Sequence, residues 1–464
     1  MPDVNVARVL VGLVVAMAII IVTVTKTKIH VFPAMLIGAV AAGIISGLPS
    51  NDVMANIISG FGGTLGSIGI IIGFGVMMGA IFEVSGAAKR MALTFIKLLG
   101  KGKEDIAMGI TGFIVSIPVF CDSAFVVLSP LAKSLARNTG KNLITISCAL
   151  GTALLVTHSL VPPTPGPLAV VNYFKLDLGM FMIYSLIASA FIAPFGIMYA
   201  RWLGKRKLFK LPDPNDSSAP LIDRPYTAAE LETPEQLVHE KLPGTFISFA
   251  PILIPIVLIL FNTVSGVLGA KGSFKSFAGL IGHPIVAVGL GLLIAIYGLA
   301  GKRDRKEVVG ILDKAMTEAG IIVFVTGAGG SLGAVLKATG AGGSIANMLV
   351  AASIPGILLP YIMAFILRIV SGSATVGMLT AGSLTAPILL AMPGVNPYMG
   401  ALACCIGSIG ITGLHDSYFW VVNRTTGVSE MKDMLWHWFG AVCALSAGGI
   451  VVLFAMNYIT GLIL

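Results

Sequence analysis

The sequence GAIFEVSGAA at Gly79–Ala88 has a counterpart in GAVLKATGAG at Gly333–Gly342, about 250 positions further along the 464-residue chain. Two further matches keep the same order: Ser123-Ala124 with Ser373-Ala374, and His158 with His415. In a chain with 56 glycines, helix packing through small residues explains any one match alone. The common register of the three matches predicts a chain built from two related halves.

The composition is that of a membrane protein. Hydrophobic residues make up 56% of the chain, charged residues make up 11%, and the mean hydropathy is +0.95. Apolar stretches close to the roughly 18 residues that span a bilayer recur, for example Val9–Thr25, Phe246–Ser265 and Gly440–Leu464. Asp3 precedes the first of them and no small-residue cleavage pattern follows, so we expect a retained helix rather than a signal peptide.

The net charge of +9 does not indicate a nucleic-acid partner. The basic residues lie in short loops between apolar stretches, where they set the orientation of the chain in the membrane. The five cysteines fall inside apolar stretches and lack metal-ligand spacing. We therefore predict buried thiols, no disulfide and no metal site.

The apolar stretches predict an all-α polytopic membrane protein with two sets of five membrane-spanning helices. The predicted helices are residues 7–25, 30–48, 62–84, 142–161 and 179–200, then 246–266, 279–300, 316–338, 397–414 and 436–462. An apolar stretch too long for one crossing follows the third helix of each set, at 106–132 and 355–392. Pro118 breaks the first stretch and the Ser-Gly-Ser run at 371–373 breaks the second. We interpret both as re-entrant hairpins, because broken backbone at membrane depth needs the shelter of protein or a cavity.

The distribution of Lys and Arg favours this layout, because most of them then lie on the inner face, with the N-terminus outside. Five crossings separate the start of one half from the start of the other. Since that number is odd, the two halves are predicted to be inverted repeats. The predicted units are residues 1–203 for the first repeat, 204–245 for a polar cytoplasmic linker and 246–464 for the second repeat.

Polar residues at membrane depth mark the candidate site, because each is costly there unless it is paired or hydrated. They cluster in IPVFCDSAFVVLSP of the first hairpin, LRIVSGSATVGMLTAGS of the second, THSLVPPTPGP at 157–167 and GLHDSYFW at 413–420. The prolines of VPPTPGP interrupt helical hydrogen bonding and free backbone groups for a cavity or a ligand. Helix N-termini at such breaks attract a carboxylate, so the sequence predicts an anionic solute.

The predicted substrate-binding residues lie on both hairpins and on the proline-rich break. They are Ser123, Thr164, Gly166, Arg368, Ser371, Ser373 and Thr375. Arg368 has two interpretations: it binds the substrate carboxylate in a bidentate pair, or Asp122 or Asp416 neutralises it permanently. The sequence favours the structural pair.

Transport of a cation with the solute requires a group that titrates or coordinates at membrane depth. The predicted proton-coupling residues are Asp122, Asp416, His158 and His415, and for each the alternative is a satisfied buried group. For Glu83, which aligns with Lys337 in the repeat, we favour a structural role. The sequence contains neither an ATP-binding loop nor a nucleophile elbow, so we predict gradient-driven transport without a cofactor, and not an enzyme.

Four ordered strings resemble the gluconate permease (GntP-type) family, and the resemblance covers nearly the whole chain. They are GFGGTLGSIGIIIGFGVMMGAIFEVSGAA, PVFCDSAFVVLSPLA, THSLVPPTPGPLAV and LRIVSGSATVGMLTAGS. The resemblance implies a proton-coupled importer of sugar acids or small hydroxycarboxylates in the cell inner (plasma) membrane. Similarity to the wider ion-transporter superfamily implies a homodimer in which a transport domain bearing both hairpin tips moves elevator-fashion against a scaffold. The residues that the resemblance carries over are Asp122 and Ser123, His158 with Pro162–Pro167, Arg368 with Ser373–Thr375, and His415 with Asp416.

The chain departs from the gluconate-specific branch of that family at two places. That branch has paired phenylalanines and a glutamate where this chain has VFCDSAF, and a histidine where it has Thr164. A smaller hydroxy acid such as glycerate or lactate, or a four-carbon sugar acid, is therefore an equal alternative to gluconate. Two further alternatives stay open, namely sodium coupling through backbone carbonyls and hydroxyls, and a passive anion channel.

Overall fold

The computed structural model describes residues 6–27, 29–139, 141–206, 210–212, 220–222, 242–340, 346, 348, 350–352, 355–411 and 416–463. These residues are largely helical. One short antiparallel pair of strands, β1 (Lys210–Pro212) and β2 (Pro220–Ile222), lies within the predicted linker. Most of the rest of that linker lies outside the described residues.

The helices occur in two series, one before the strands and one after them. The first series is α1 (Val6–Thr25), α2 (Val31–Ile45), α3 (Ser50–Ser85), α4 (Ala87–Leu99), α5 (Glu104–Val115), α6 (Cys121–Thr139), α7 (Leu143–Leu160), α8 (Pro165–Tyr173) and α9 (Leu178–Arg206). The second series is α10 (Thr245–Val267), α11 (Gly272–Ile281), α12 (Pro284–Leu299), α13 (Arg305–Ala338), α14 (Leu358–Ser371), α15 (Ala374–Leu389), α16 (Pro397–Ile409), α17 (Ser417–Thr426) and α18 (Met431–Leu462).

Among the described residues, six helical stretches are long and apolar enough to cross a membrane. They are α3, α9, α10, α13, α18 and the stretch Leu143–Tyr173 that contains α7 and α8. The pair α11 and α12, bent by 52°, makes a seventh if it is counted as one span. Shorter apolar helices occupy further predicted crossings at Ala7–Thr23, Val31–Ile45 and Pro397–Ile409. The prediction of an all-helical, multi-pass membrane protein is confirmed.

Several helix bounds differ from the prediction. The helix predicted to begin at 62 begins at Ser50, and the one predicted at 316 begins at Arg305. Hydropathy missed these first turns because they are polar and lie outside any bilayer-length apolar run. The predicted helix 279–300 is interrupted at His283, which accepts a hydrogen bond from the Ile285 N–H and so caps α12. A proline in the first turn of α12 favours a new helix start at that point.

Both predicted hairpins consist of two helices around a break. The first hairpin (α5 and α6) is broken over residues 116–120, and the second hairpin (α14 and α15) is broken at Gly372 and Ser373. Gly372 has φ of 72°, a left-handed conformation that glycine adopts without a steric penalty. The Ser373 side chain then accepts a hydrogen bond from the Val376 N–H at the start of α15. Re-entry of each hairpin to the same membrane face stays a prediction.

The order of elements in the first half recurs in the second. A long helix (α3 or α13) is followed by a hairpin, a broken helix (α7–α8 or α16–α17) and a long closing helix (α9 or α18). The repeated glycines have matching contacts: a Cβ on Gly79 would lie 2.8 Å from the Pro118 carbonyl oxygen, and one on Gly333 would lie 3.1 Å from the Ser383 carbonyl oxygen. Each glycine thus lets a long helix approach the hairpin that follows it. The inverted relation of the halves stays a prediction.

Helix α7 forms the centre of the molecule. Every residue from Leu143 to Leu160 is buried. The first hairpin, α9 and α16 all pack against this helix. A helix without a lipid-facing side places its C-terminal end, including His158, inside the protein.

Candidate functional site

A cavity of about 250 Å³ lies where the two hairpins meet the two broken helices, and we call it the central cavity. Its walls include the predicted site residues Asp122, His158, Arg368, Ser373, Thr375 and Asp416. Helix α13 closes one side with the apolar residues Ile321, Ile322 and Val325. Residues far apart in sequence are therefore assembled around one cavity.

Arg368 and Asp416 form an ion pair in the wall of the central cavity. The Arg368 Nη2 donates to Asp416 Oδ2 at 2.9 Å, and both side chains are 3% exposed. Asp416 Oδ1 also accepts from the Tyr418 N–H at 3.1 Å, and this hydrogen bond caps the start of α17. The Arg368 Nη1 donates to the Gly372 carbonyl oxygen at 2.6 Å. The pair therefore joins the break of the second hairpin to the break before α17, as in the structural interpretation of Arg368.

The same arginine keeps one donor for a ligand. The Arg368 Nε is buried and has no hydrogen-bond partner among the described residues. In the cavity wall, this guanidinium N–H is a charged donor that a bound acceptor can use. A carboxylate in the central cavity supplies such an acceptor.

Asp122 lies in the first turn of α6 and is half-buried. Its Oδ1 accepts a hydrogen bond from the Ser417 hydroxyl at 3.5 Å, a distance at the limit of this interaction. Asp122 is therefore held less firmly than Asp416. In the wall of the cavity, it is the carboxylate with more freedom to exchange a proton or a partner.

His158 adds an imidazole ring at the end of α7. The ring is 6% exposed, and its Nδ1 has no hydrogen-bond partner among the described residues. The ring packs on Phe120, with the two ring centroids 5.4 Å apart. An unpaired nitrogen in the wall can accept a hydrogen bond from a solute hydroxyl or donate one to a carboxylate, depending on its tautomer.

Four predicted site residues lie outside the cavity walls and support them. The Ser123 side chain lies beside the Glu83 carboxyl group of α3. The Thr164 hydroxyl donates to the Val161 carbonyl oxygen at 2.6 Å within the proline-rich break. Ser371 donates to the Leu367 carbonyl oxygen at 2.7 Å and accepts from the Ser373 N–H at 3.3 Å.

Gly166 is the fourth of these residues, and it permits a close packing contact. A Cβ at this position would lie 3.6 Å from the Thr375 Cα and closer still to the Met378 side chain. The glycine thus lets the start of α8 approach the start of α15, where Ser373 and Thr375 line the cavity. The remaining predicted residue, His415, lies outside the described residues.

The sequence did not single out Ser417, Tyr418 or the apolar wall on α13. Aspartate is a common N-cap residue, so Asp416 could have marked the start of a helix at this break. Ser417 and Tyr418 would then lie in its first turn, close to the same break. The Tyr418 hydroxyl donates to the Gly151 carbonyl oxygen at 3.1 Å and so fixes α17 against α7. The residues of α13 carried no signal, because apolar residues in a membrane helix are expected on every face.

The charges around the central cavity favour binding of an anion together with a cation. Arg368 and Asp416 neutralise each other, which leaves Asp122 as the acid whose charge is not compensated by a described ion pair. With Asp122 ionised, an entering carboxylate meets a like charge, and a proton on Asp122 removes that repulsion. Among the described residues, no group of three His, Cys, Asp or Glu side chains has an arrangement that holds a metal ion.

A multi-pass helical protein with a small charged cavity between broken helices has the architecture of a membrane permease. Residues 8–459 match the model of the GntP family permease, and the chain belongs to this family. This confirms the family resemblance, the membrane location and the prediction that the protein is a transporter and not an enzyme.

Curated relatives match almost the full length. The chain is 42% identical to an uncharacterized permease of Haemophilus influenzae, over 97% of this chain and 93% of that protein. It is 33% identical to the gluconate permease of Pseudomonas aeruginosa over 95% of each chain. It is also 31% identical to the D-serine transporter DsdX of Escherichia coli K12, over 90% of this chain and 91% of that one.

The fold also has a counterpart among solved structures. It is similar to that of the YdaH transporter of Alcanivorax borkumensis, with a TM-score of 0.55 over 88% of this chain and 89% of that one. The sequence identity of this pair is 16%, so the likeness concerns the fold alone.

Proposed function

We propose that this protein is a secondary active symporter that imports a sugar acid or a small hydroxycarboxylate together with protons. The observation that carries the proposal is the central cavity, whose walls contain Asp122 together with Arg368 and His158, each with an unpaired nitrogen (Nε and Nδ1) among the described residues. A volume of about 250 Å³ is below the range typical of pockets for drug-sized ligands, which suits a small organic acid.

The relatives support the class of solute. Proteins that are similar over most of the chain are named gluconate permease and low-affinity gluconate transporter, and another is named D-serine transporter. Gluconate and D-serine both carry a carboxylate and at least one hydroxyl group on a short carbon chain. We therefore propose that the carboxylate is bound by Arg368 and the hydroxyl groups by the hairpin residues Ser373 and Thr375.

Proton coupling follows from the position of Asp122. When two ligands favour each other's binding, the effect is reciprocal, so a carboxylate that binds better to protonated Asp122 also raises the affinity for the proton. His158 is the second candidate for the proton. Asp416 is already engaged by Arg368 and by the Tyr418 N–H, which makes it a positioning residue in this proposal.

We propose alternating access of the elevator type. The first hairpin and the second broken helix pack against the fully buried α7, and the second hairpin packs against α8 and α16, so these elements can move as one body that carries the central cavity. The recurring order of elements supports two inverted repeats, 1–203 and 246–464, with the linker between them. The homodimer is proposed from the resemblance to the ion-transporter superfamily.

Uptake into proteoliposomes at fixed membrane potential tests this function. With an inward proton gradient, we expect accumulation of the labelled acid above its outside concentration, collapse on addition of a protonophore, and no effect of removing sodium. Uptake that requires sodium and ignores pH contradicts proton coupling. Uptake that never exceeds the outside concentration favours a passive anion channel.

A thermal-shift screen identifies the solute, because a ligand that binds only the folded state raises the melting temperature. The panel contains gluconate, glycerate, lactate, a four-carbon sugar acid and D-serine. We expect the largest shift from the solute that is also accumulated. A panel in which no acid shifts the melting temperature or enters the vesicles contradicts the proposed class of solute.

A further inference from the structure

A second cavity of about 550 Å³ lies beside the central cavity, and we call it the lysine cavity. Helices α3, α13 and α15 and the end of α8 form its walls. Lys175 and Lys337, both exposed, contribute two positive charges. Ser59, Ser67 and Asn172 add hydrogen-bonding groups, and no acidic side chain is among the wall residues that the structure describes.

The lysine cavity and the central cavity are in line along the same pair of helices. On α13, Val325 lines the central cavity and Gly330 lines the lysine cavity, a separation of about 7.5 Å along the helix axis. On α15, Leu379 lines the central cavity and Ser383 lines the lysine cavity. Along both helices, the residues that line the two cavities are therefore separated by about one helical turn.

Tyr173 lies in the short interval between the cavities. Its hydroxyl donates to the Thr326 carbonyl oxygen at 2.7 Å, on the turn of α13 that separates them. A Cβ on Gly329 would lie 3.0 Å from the Tyr173 Cζ and 3.4 Å from the Leu379 carbonyl oxygen. The tyrosine ring thus occupies a space that the glycine leaves open, and it forms part of the thin wall between the two volumes.

We propose that the lysine cavity is a second binding site for the carboxylate solute, an entrance chamber from which the solute passes Tyr173 into the central cavity. The inference rests on the proposed function, since it concerns the same solute. Two ammonium groups in one cleft raise the local concentration of an anion, and hydroxyl and amide groups beside them hold it. This attraction weakens as the ionic strength rises.

Uptake kinetics test the entrance chamber. We expect the variant Lys175→Gln with Lys337→Gln to raise the solute concentration for half-maximal uptake about 3–10-fold at low salt, with the maximal rate changed less than about twofold. Its half-saturation should depend less on salt than that of the unmodified protein. The control is Lys271→Gln, which removes an exposed lysine that lines neither cavity. A double variant that behaves like this control overturns the inference.

A cysteine-labelling experiment tests ligand binding in the lysine cavity without measuring transport. In Lys175→Cys, we expect a sulfonate-bearing thiol reagent to react several-fold faster than an ammonium-bearing one, and gluconate or glycerate to slow the reaction. Adding Lys337→Gln should remove the preference for the anionic reagent. Of the native cysteines, four are buried and Cys443 is half-buried, so the unmodified protein serves as the blank.

The outcomes separate the two proposals. Protection of Lys175→Cys by either acid, without uptake of any acid by the unmodified protein, contradicts the proposed function and supports the binding site. If an acid accumulates but does not protect Lys175→Cys, and the double lysine variant transports like the control, the proposed function is supported and the second binding site is contradicted. If no acid is taken up and no acid protects Lys175→Cys, both proposals are contradicted.

Discussion

The two hairpins reach the same cavity, but they are held at opposite ends. The second hairpin is fixed at its tip, where Arg368 bonds to Asp416 and to the Gly372 carbonyl oxygen. Among the described residues, Asp122 at the tip of the first hairpin makes only a long contact with Ser417, and the ring of Phe120 packs on His158. Its fixed end is the start of α5, where Asp105 is bound by two cations.

We propose that this difference gives the two tips different tasks. A fixed arginine presents its remaining N–H in a constant position, which suits recognition of a carboxylate. A loosely held acid can gain or lose a proton without disrupting a network, which suits coupling. The comparison therefore predicts that disturbing the second tip costs stability and binding, whereas disturbing the first tip changes the energetics of transport.

The largest effect is expected for Arg368→Met. It leaves Asp416 buried without its cation, a change that typically costs about 3–5 kcal/mol of unfolding free energy, and it removes the proposed carboxylate ligand. We expect a clearly lower melting temperature and no measurable uptake. The double variant Arg368→Met with Asp416→Asn should recover part of the stability and none of the uptake.

Arg424→Met is the matched control for this experiment. Arg424 is exposed and lies over the Trp420 ring, 5.0 Å from its centroid, so its loss should change little. If Arg368→Met retains uptake with an unchanged half-saturation, Arg368 has only a structural role.

The next largest effect is expected for Asp122→Asn. Without a titrating group at the first tip, accumulation driven by a pH gradient should fall at least about tenfold, while exchange of labelled solute across the membrane continues. The melting temperature should stay nearly constant, because the hydrogen bond from Ser417 to Asp122 is long, at 3.5 Å. Ser417→Ala serves as the control, with coupling retained. If the variant still accumulates solute in response to a pH gradient, Asp122 is not the coupling group, and His158 becomes the candidate.

A third prediction compares how closely each long helix approaches its hairpin. Gly79→Ala places a methyl group against the Pro118 carbonyl oxygen, and we expect a loss of about 1–3 kcal/mol from this overpacking. Gly333→Ala meets the Ser383 carbonyl oxygen at the larger distance of 3.1 Å, so its cost should be smaller. At Gly66, an added Cβ would meet no neighbouring atom within 4 Å, so Gly66→Ala should be neutral or slightly stabilising. Thermal denaturation of the three variants measures these effects. Equal effects at the three glycines would contradict the packing role of the repeated motif.

The sequence predicted those parts of the fold that depend on local chemistry. Bilayer-length apolar runs located the long helices, and Pro118 and the Ser-Gly-Ser run located the two breaks, since each interrupts helical hydrogen bonding locally. The start of α3 at Ser50 was missed because a polar helix that extends beyond the bilayer has no hydropathy signal. The amphipathic α4 lies outside the predicted helices, because its polar face removes the hydropathy signal.

The site was predictable where a polar residue stood at a break, and not where tertiary packing decides. Asp122, His158 and Arg368 met these conditions, and the structure brings them to one cavity. Ser123 met them equally well, yet its side chain lies beside Glu83 of α3 and outside the cavity wall. Which way a side chain points depends on the helix packed against it, and no single sequence records that.

The smallest effect is expected at the base of the first hairpin. Asp105 is fully buried, accepts from the Lys141 Nζ and the Arg201 Nε at 2.5 Å each, and joins α5 to α9. Burial would raise the pKa of this carboxyl, but the hydrogen bonds from Arg201 and Lys141 outweigh it and lower the pKa below its ordinary value. The ionised carboxylate therefore stabilises the fold above the ordinary aspartate pKa of about 3.9, and this contribution is lost as the pH falls through the lowered pKa.

We expect Asp105→Asn to cost about 1–2 kcal/mol at neutral pH, since an amide keeps only part of these hydrogen bonds. The difference in melting temperature from the unmodified protein should be constant above about pH 5 and should narrow in more acidic buffer, because only the carboxylate titrates. Asp313→Asn, an exposed acid on α13, should show neither effect. A difference that does not change with pH would mean that Asp105 acts through packing alone, and the first hairpin would then have no electrostatic anchor to set against the Arg368 tip of the second.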